Sequence, residues 1–226
     1  MKTLKTLFIA VALVSSLAAI GKTEDKPTPN DFLVIPGVRA GPISADSREA
    51  YLRKVLGNDN VRPANIDDGE GGIRSGTVIF PNDPSRRAEI FWIDSASHRR
   101  PAEVIISSPA TVWHTAENIS IGSTLDQIER VNGKPFHMSG FNFDDAGTII
   151  DGNGGKLSYL GVDKGEEGIQ GRLLLVRLDK AEAAWDGLGA KAQQALTGDV
   201  SLLSSLPAVR KLSPVVYQLI VKFPER

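Results

Sequence analysis

The chain has 226 residues, with 26 lysine and arginine residues against 27 aspartate and glutamate residues, and it contains no cysteine. No segment concentrates enough positive charge to line a nucleic-acid groove, so nucleic acid is not an expected partner. The lack of cysteine excludes disulfide bonds, thiol catalysis, zinc–thiolate sites and anchoring through a lipidated cysteine. We therefore expect the hydrophobic core alone to stabilise the fold.

The N-terminus has the three-part pattern of an export signal. Two lysines precede an apolar run from Leu7 to Val14, and small residues follow it. The run is shorter than the ~20 residues that a spanning helix needs, so we interpret residues 1–21 as a cleaved signal peptide and expect no membrane anchor. Cleavage would follow Ala18 or Gly21, and residues 22–30 would form a flexible leader. The mature protein would be periplasmic or secreted.

Residues 31–226 are predicted to form a single α+β domain with a mostly antiparallel sheet. Apolar and β-branched runs bounded by turn residues predict its strands, in chain order, at 31–39, 76–80, 88–93, 103–107, 135–143, 147–151, 157–162, 169–178 and 214–223. Pro36-Gly37 interrupts or ends the first of these. The Asp151–Gly155 segment has the composition of a hairpin turn.

An internal echo lies within this domain. Ile43–Gly57 matches Ile119–Gly133 at a constant offset of 76 residues, with five of fifteen pairs identical. A Gly-Thr pair follows each copy, at Gly76 and at Gly147. We interpret this pattern as a duplicated helix-plus-strand unit, at about 43–80 and 119–151.

Each copy predicts a short capped helix that ends at a glycine. Asp46 or Ser47 is the predicted cap in the first copy, and Ser123, with Asp126 three residues later, in the second. An alanine-rich stretch at 180–196 predicts a third and longer helix near the C-terminus, weakened by its two glycines.

Few residues stand in a pattern that is typical of a catalytic or metal-binding site. His98, His114 and His137 share no metal-ligand spacing and are interpreted as isolated histidines. No Gly-x-Ser-x-Gly nucleophile elbow is present. Asp151–Gly155 resembles the opening of a calcium loop, but Lys156 stands where that loop needs glycine, which favours a turn. We expect no cofactor and no metal.

The best candidate for a partner-binding segment is His137–Asp145. If it is a strand, Phe141 and Phe143 share one face, and Asp144 lies beside them. Aromatic side chains rimmed by polar groups are typical of interface hot spots. The alternative is that both phenylalanines belong to the core. Asp144 and Asp145 are also the carboxylates that a hydrolase mechanism would use.

Part of the second copy has a familiar order. Ile119–Gly133 leads into Lys134–Phe136, then Gly140-Phe141, Asp144 and Gly154–Leu157. This order resembles a family of exported bacterial proteins of unknown function, as do Phe80–Pro84 and Pro214–Tyr217. The resemblance covers most of the mature chain and implies no activity or site residues.

The capped helix followed by strands is also similar to the αβ unit of β-lactamase-inhibitor-like proteins and of small outer-membrane assembly lipoproteins. This chain lacks the disulfides of the former and the lipidated cysteine of the latter. Folds of that type bind proteins with one face of a sheet, and the likeness carries only that expectation.

These patterns favour an exported, soluble, non-enzymatic binding protein whose partner is a protein or an envelope component. The alternative is a carboxylate-dependent hydrolase acting on cell-envelope or glycan material.

Overall fold

The computed structural model of the protein describes residues 28–67, 71–160 and 173–224. These residues form five α-helices and thirteen strands in three mostly antiparallel sheets, which confirms the predicted α+β class. The predicted signal peptide and most of the predicted leader lie outside them. Within these ranges, no helix combines the length and apolar character needed to cross a bilayer.

The largest sheet has six antiparallel strands. In spatial order they are β11 (Leu174–Asp179), β13 (Val215–Lys222), β7 (Arg99–Ile106), β6 (Ala88–Asp94), β5 (Ile73–Ile79) and β4 (Val61–Asp67).

Two smaller sheets flank it. One joins β3 (Ile43–Ser44), β2 (Arg39–Ala40), β1 (Leu33–Ile35) and β8 (His114–Thr115), and its β1–β8 pair is parallel. The other joins β10 (Ile149–Asp151), β9 (His137–Ser139) and β12 (Ser201–Leu203). A backbone bridge between Thr148 and Arg177 links this last sheet to β11.

The helices are short, as predicted for the two copies of the echo. They are α1 (Glu49–Leu56), α2 (Leu125–Asn132), α3 (Glu182–Asp186), α4 (Ala190–Ala195) and α5 (Pro207–Leu212), and 3₁₀ turns occupy Asn58–Asn60 and Lys156–Leu160. Leu52 of α1 and Ile128 of α2 are buried in the same large core. Helices of two turns do not persist alone in water, so this packing stabilises them.

The main core lies on the helix side of the six-stranded sheet. Alternate residues of its strands enter this core, among them Ile90, Val104, Leu219 and Val221. A second, smaller cluster of Ile66, Val78 and Phe91 lies apart from the main core. Since Val78 and Phe91 alternate with main-core residues Ile79 and Ile90 along their strands, this second cluster lies on the opposite face.

The two segments of the echo share the order of their elements. Helices α1 and α2 begin and end 76 residues apart, and in each segment the helix precedes a strand that pairs with the next strand in antiparallel fashion. The serines ahead of the helices make the same contact, because the Ser44 amide donates to Ser47 Oγ at 2.9 Å and the Ser120 amide to Ser123 Oγ at 3.0 Å.

Each helix start is also joined by a backbone bridge to a strand of the large sheet. An antiparallel bridge joins Arg48, before α1, to Arg99 of β7. The corresponding bridge joins Thr124, before α2, to Val215 of β13. Strands β7 and β13 pair with each other, so the two helix starts are bridged to adjacent strands of the large sheet.

The predicted caps are corrected by one residue in each copy. Arg48 is the N-cap of α1 and makes no side-chain capping bond, because a guanidinium group has no acceptor. The Ser47 hydroxyl accepts from the Ser44 amide instead. In the second copy Thr124, rather than Ser123, caps α2. Its hydroxyl accepts from the Gln127 amide and Gln127 Oε1 accepts from the Thr124 amide, which completes a capping box.

The predicted long C-terminal helix at 180–196 is wrong. The chain forms α3 and α4 there, five and six residues long, and breaks between them at Gly187–Gly189. Glycine gains the most backbone entropy outside a helix, so two glycines within three residues end the helix rather than weaken it.

Several predicted strands also differ. The predicted strand at 135–143 is a strand only at His137–Ser139, and Lys156–Leu160 is a 3₁₀ turn instead of a strand. The predicted strand at 169–178 is observed from Leu174, and residues 169–172 lie outside the described part.

The glycine-rich loop Asp151–Gly155 leads into the 3₁₀ turn and does not close a hairpin. The buried Asn132 side chain holds it, since Nδ2 donates to the Gly152 carbonyl at 2.9 Å and Oδ1 accepts from the Leu157 amide at 2.9 Å. Asn132 therefore holds the Asp151–Gly155 loop, which resembles the opening of a calcium loop, against the end of α2.

Candidate functional site

The structure places Phe141 in the core, so its prediction as a partner contact is wrong. Its side chain is 1% exposed, its ring meets the Trp185 ring edge-on at 6.1 Å between centroids, and Lys180 Nζ lies 5.9 Å from its centroid. The expected alternation fails because the strand ends at Ser139 and Asn142 adopts a positive φ of 61°. Phe141 and Phe143 consequently differ in burial.

Phe143 is half-buried and Asp144 is exposed. Both precede Asp145, whose Oδ1 accepts a hydrogen bond at 2.8 Å from Nη2 of Arg177 in β11. The segment therefore leads into a charged pair on the sheet. Phe143 and Asp144 stay predictions.

Arg177 projects from the face of β11 opposite the main core, because its neighbours Val176 and Leu178 are both buried in that core. Its Nη1 donates to Gln218 Oε1 on the paired strand β13 at 3.3 Å. Its Nε is buried and has no hydrogen-bond partner within the described residues. One donor of the guanidinium group is thus unused.

Tyr217 lies next to this arginine at a bulge. Arg177 pairs with Gln218 and Leu178 with Val216, which leaves Tyr217 as the extra residue of β13. The residue is 37% exposed. Burial of its hydroxyl raises the pKa of Tyr217, and although the Arg177 charge acts to lower it, the direction stays upward. We call Asp145, Arg177, Tyr217 and Gln218 the outer cluster.

A second polar cluster lies at the start of α1. His98 Nδ1 is 2.5 Å from Glu49 Oε2, and the Thr77 hydroxyl donates to the same oxygen at 2.6 Å. Arg53 donates twice to Glu49 Oε1, at 2.9 and 2.8 Å. Trp92 Nε1 donates to the Thr77 hydroxyl at 2.9 Å, and the Trp92 ring stacks on His98 with an interplanar angle of 6°.

This network determines the charge of Glu49 and which ring nitrogen of His98 carries a hydrogen. Burial acts to raise the pKa of Glu49, but the hydrogen bonds from Thr77, His98 and Arg53 outweigh it and hold the pKa below its ordinary value. The ionised carboxylate only accepts hydrogen bonds, so His98 Nδ1 carries the proton. The Thr77 side chain is buried, so its hydroxyl is not accessible to a substrate at the surface.

The histidine expectations are partly corrected here. His98 is not isolated, since it belongs to the Glu49 network. His114 Nδ1 lies 3.0 Å from the Val112 carbonyl, and His137 Nδ1 lies 3.3 Å from Asp151. No group of three metal-ligating side chains occurs within residues 28–67, 71–160 and 173–224.

The Glu49 network is specific to the first segment. At the register of α2, Leu125 stands where Glu49 stands in α1, and Pro214 precedes the bridged Val215 as His98 precedes Arg99. A depression of about 230 Å³ lies at this second helix start, lined by Thr124, Leu125, Asp126, Arg210, Ser213 and Pro214. The helix-on-sheet arrangement therefore does not require the Glu–His pair.

Sequence reasoning missed both clusters. Glu49 and His98 are 49 residues apart, and Asp145 and Arg177 are 32 apart, so no short motif contains either pair. The one available signal was the internal register, which sets Glu49 against Leu125. A charged residue opposite a core leucine marks a local difference between the two copies.

Comparison with known proteins adds no relative. No protein-family model, no curated protein and no solved structure matches the chain. The resemblances noted for the sequence therefore remain predictions.

Proposed function

We propose that the chain is an exported, non-enzymatic binding protein that holds a protein partner at the outer cluster. The observation that carries this proposal is the pairing of a half-exposed Tyr217 with Arg177, whose Nε–H is buried without an acceptor. Tyrosine and arginine are the residue types most enriched in interface hot spots, together with tryptophan.

The unused donor supports a partner that brings an acceptor. A buried N–H without an acceptor costs free energy. Asp145 contacts only the Nη2 of Arg177, so the Nε–H, which is buried in the free protein, is left without an acceptor. A carboxylate or backbone carbonyl of a partner would satisfy it, with a small movement of the side chain.

Tyr217 supports the choice of a protein over a small ligand. The ring stands on an irregular part of a sheet. It lines neither the depression at the start of α2 nor a second depression at Gly189–Ala195. An exposed aromatic ring with charged neighbours, outside any depression given above, suits another protein surface better than an enclosed small molecule.

The hydrolase alternative finds less support. Of those two depressions, one is lined by Gly189, Ala190, Lys191, Ala192 and Ala195 and has no carboxylate. The other has only Asp126, which pairs with Arg210. Asp145 is held by Arg177, so Asp144 and Asp145 do not form a free acid–base pair.

Two further parts of the proposal come from the sequence. We infer that the first and second segments are copies of one ancestral unit, because sequence register, serine contacts and bridged helix starts all agree. We also infer export with removal of residues 1–21. Mass spectrometry of the native protein is expected to find a mature N-terminus between Ala19 and Lys22, and recovery of intact Met1 would contradict export.

Site-specific photo-crosslinking in the native cell tests the binding site. A benzophenone amino acid replaces Tyr217 in one variant and Tyr159 in the control. Tyr159 is a matched control because it is 46% exposed and lies in the 3₁₀ turn, away from the outer cluster in the chain. We expect a discrete crosslinked species from position 217 that position 159 does not give.

A second variant makes the result specific. Adding Arg177→Gln to the Tyr217 crosslinker is expected to remove that species, since the proposed acceptor contact is lost. If position 217 yields no crosslink, or the same species as position 159, the proposal is wrong. Circular dichroism melts confirm that each variant is folded.

A further inference from the structure

Three arginines lie on two paired backbone segments at the start of α1. Arg48 and Arg99 are directly opposite each other in an antiparallel bridge, and the Arg100 amide donates to the Ser47 carbonyl at 3.0 Å. Residues opposed in this way project to the same side of the pair, with Cβ atoms about 4.5–5.5 Å apart. All three arginine side chains are exposed.

None of the three side chains forms an ion pair or hydrogen bond within the described chain. Six other arginines there each hold a carboxylate, namely Arg39, Arg53, Arg86, Arg87, Arg177 and Arg210. Like charges directly opposite on paired strands are destabilising. The Arg48–Arg99 pair therefore lacks the ion pair that six of the twelve described arginines have.

The neighbouring acids are bound to other donors. Glu49 accepts from Thr77, His98 and Arg53, which fill both of its oxygens. Asp94 opposes Arg99 across the β6–β7 hairpin and acts on it electrostatically, but both of its oxygens accept from Ser97. Glu49 therefore has no acceptor site left for these arginines, and Asp94 offsets part of the Arg99 charge without forming an ion pair with it.

We propose that Arg48, Arg99 and Arg100 bind a phosphate monoester or free phosphate. This site is distinct from the outer cluster and does not depend on the proposed protein partner. Three guanidinium groups supply three positive charges and paired N–H donors, which match the three oxygens and the −1.5 to −2 charge, roughly, of such a phosphate at pH 7. A single carboxylate would bind the guanidinium group of only one arginine and leave the positive charges of the other two uncompensated.

Thermal melts with inorganic phosphate test the site. At constant ionic strength, balanced with chloride, the melting temperature of the wild type is expected to rise with phosphate concentration, because a ligand that binds only the folded state stabilises it. The triple variant Arg48→Gln/Arg99→Gln/Arg100→Gln is expected to bind phosphate at least tenfold more weakly. Without phosphate it should melt no lower than the wild type, since a repulsion is removed.

The control variant Arg62→Gln/Arg130→Gln/Lys191→Gln removes the same three charges from exposed positions elsewhere in the fold. It is expected to keep the response to phosphate. If the control variant loses as much of its response to phosphate as the site variant does, the response reflects overall charge and the proposal fails.

Vesicles distinguish the source of the phosphate. Co-sedimentation is measured with phosphatidic acid vesicles, which carry a monoester, and with phosphatidylcholine vesicles. Binding of the acid vesicles by the wild type and the control, but not by the site variant, indicates a lipid headgroup. Binding of inorganic phosphate alone indicates a free or small phosphorylated ligand, and binding of neither overturns the proposal.

Discussion

Glu49 Oε2 lies 2.5 Å from His98 Nδ1, and this contact ties α1 to the β6–β7 turn across 49 residues of sequence. The His98 carbonyl also accepts from the Glu49 amide at 3.0 Å, so the two residues bind each other through both side chain and backbone. Trp92 and Thr77 continue the contact into the sheet. The network thus fixes the orientation of the first helix on its strands.

Glu49→Gln tests how much this network stabilises the fold. The side chain of Glu49 is 12% exposed and accepts hydrogen bonds from three residues. In the glutamine variant an NH₂ group replaces one of the accepting oxygens, so a donor would face the donors of His98 or Arg53. We expect a loss of about 1–3 kcal/mol in the free energy of unfolding, measured with urea. Asp59→Asn, at an exposed acid just after α1, is the control and should change little.

The acid limb of the stability curve should depend on the same residue. The folded pKa of Glu49 is lower than its unfolded value, so its contribution is present above the unfolded pKa and is lost as the pH falls through the folded pKa. The difference in unfolding free energy between wild type and Glu49→Gln should be constant above about pH 5 and shrink below about pH 4.3. Urea unfolding of both proteins is measured from about pH 3 to about pH 7. A difference in unfolding free energy that grew towards acid pH would contradict the prediction.

Much of the fold was predictable because it follows from local patterns. The strands at 76–80, 88–93, 103–107 and 214–223 are all observed, since each has a buried alternating or continuous apolar run. The error at 157–162 has a tertiary cause. Leu157 and Leu160 are buried from a 3₁₀ turn that Asn132 anchors, and this long-range hydrogen bond leaves no trace in the local sequence.

Phe141→Ala and Phe143→Ala separate core from surface. Phe141 is fully buried against Trp185, and its loss should cost about 3–5 kcal/mol of unfolding free energy. Phe143 is only half-buried, so its truncation should cost clearly less. Urea unfolding of both variants gives the comparison, and equal losses would show that the two rings are equally part of the core.

The candidate site was less predictable than the fold. The sequence places Asp144 and Asp145 together, but the partner of Asp145 is Arg177 of β11, which lies 32 residues further along the chain. Tyr217 sits in a predicted strand whose bulge cannot be read from residue types. Side-chain constellations of this kind arise from register between distant strands.

Gly147 is expected to be the most sensitive glycine of the second segment. It has a φ of 65°, and a Cβ there would lie 1.8 Å from the Leu178 carbonyl oxygen, where β10 meets β11. Gly147→Ala should cost more than about 3 kcal/mol, because strain and a backbone clash combine. Gly133→Ala, with a φ of 84° and open space around it, should cost about 1 kcal/mol. Urea unfolding checks both, and similar losses would contradict the tight contact.

The two helix starts should respond differently to loss of the N-cap side chain. Thr124 caps α2 through a hydrogen bond from the Gln127 amide, whereas Arg48 makes no capping bond to α1. Thr124→Ala should therefore cost about 1 kcal/mol in unfolding free energy. Arg48→Ala should cost nothing measurable, and relief of its opposition to Arg99 acts in the stabilising direction. Urea denaturation of both variants decides the point. A loss at Arg48 as large as that at Thr124 would mean that the arginine stabilises α1 by a contact the fold does not show.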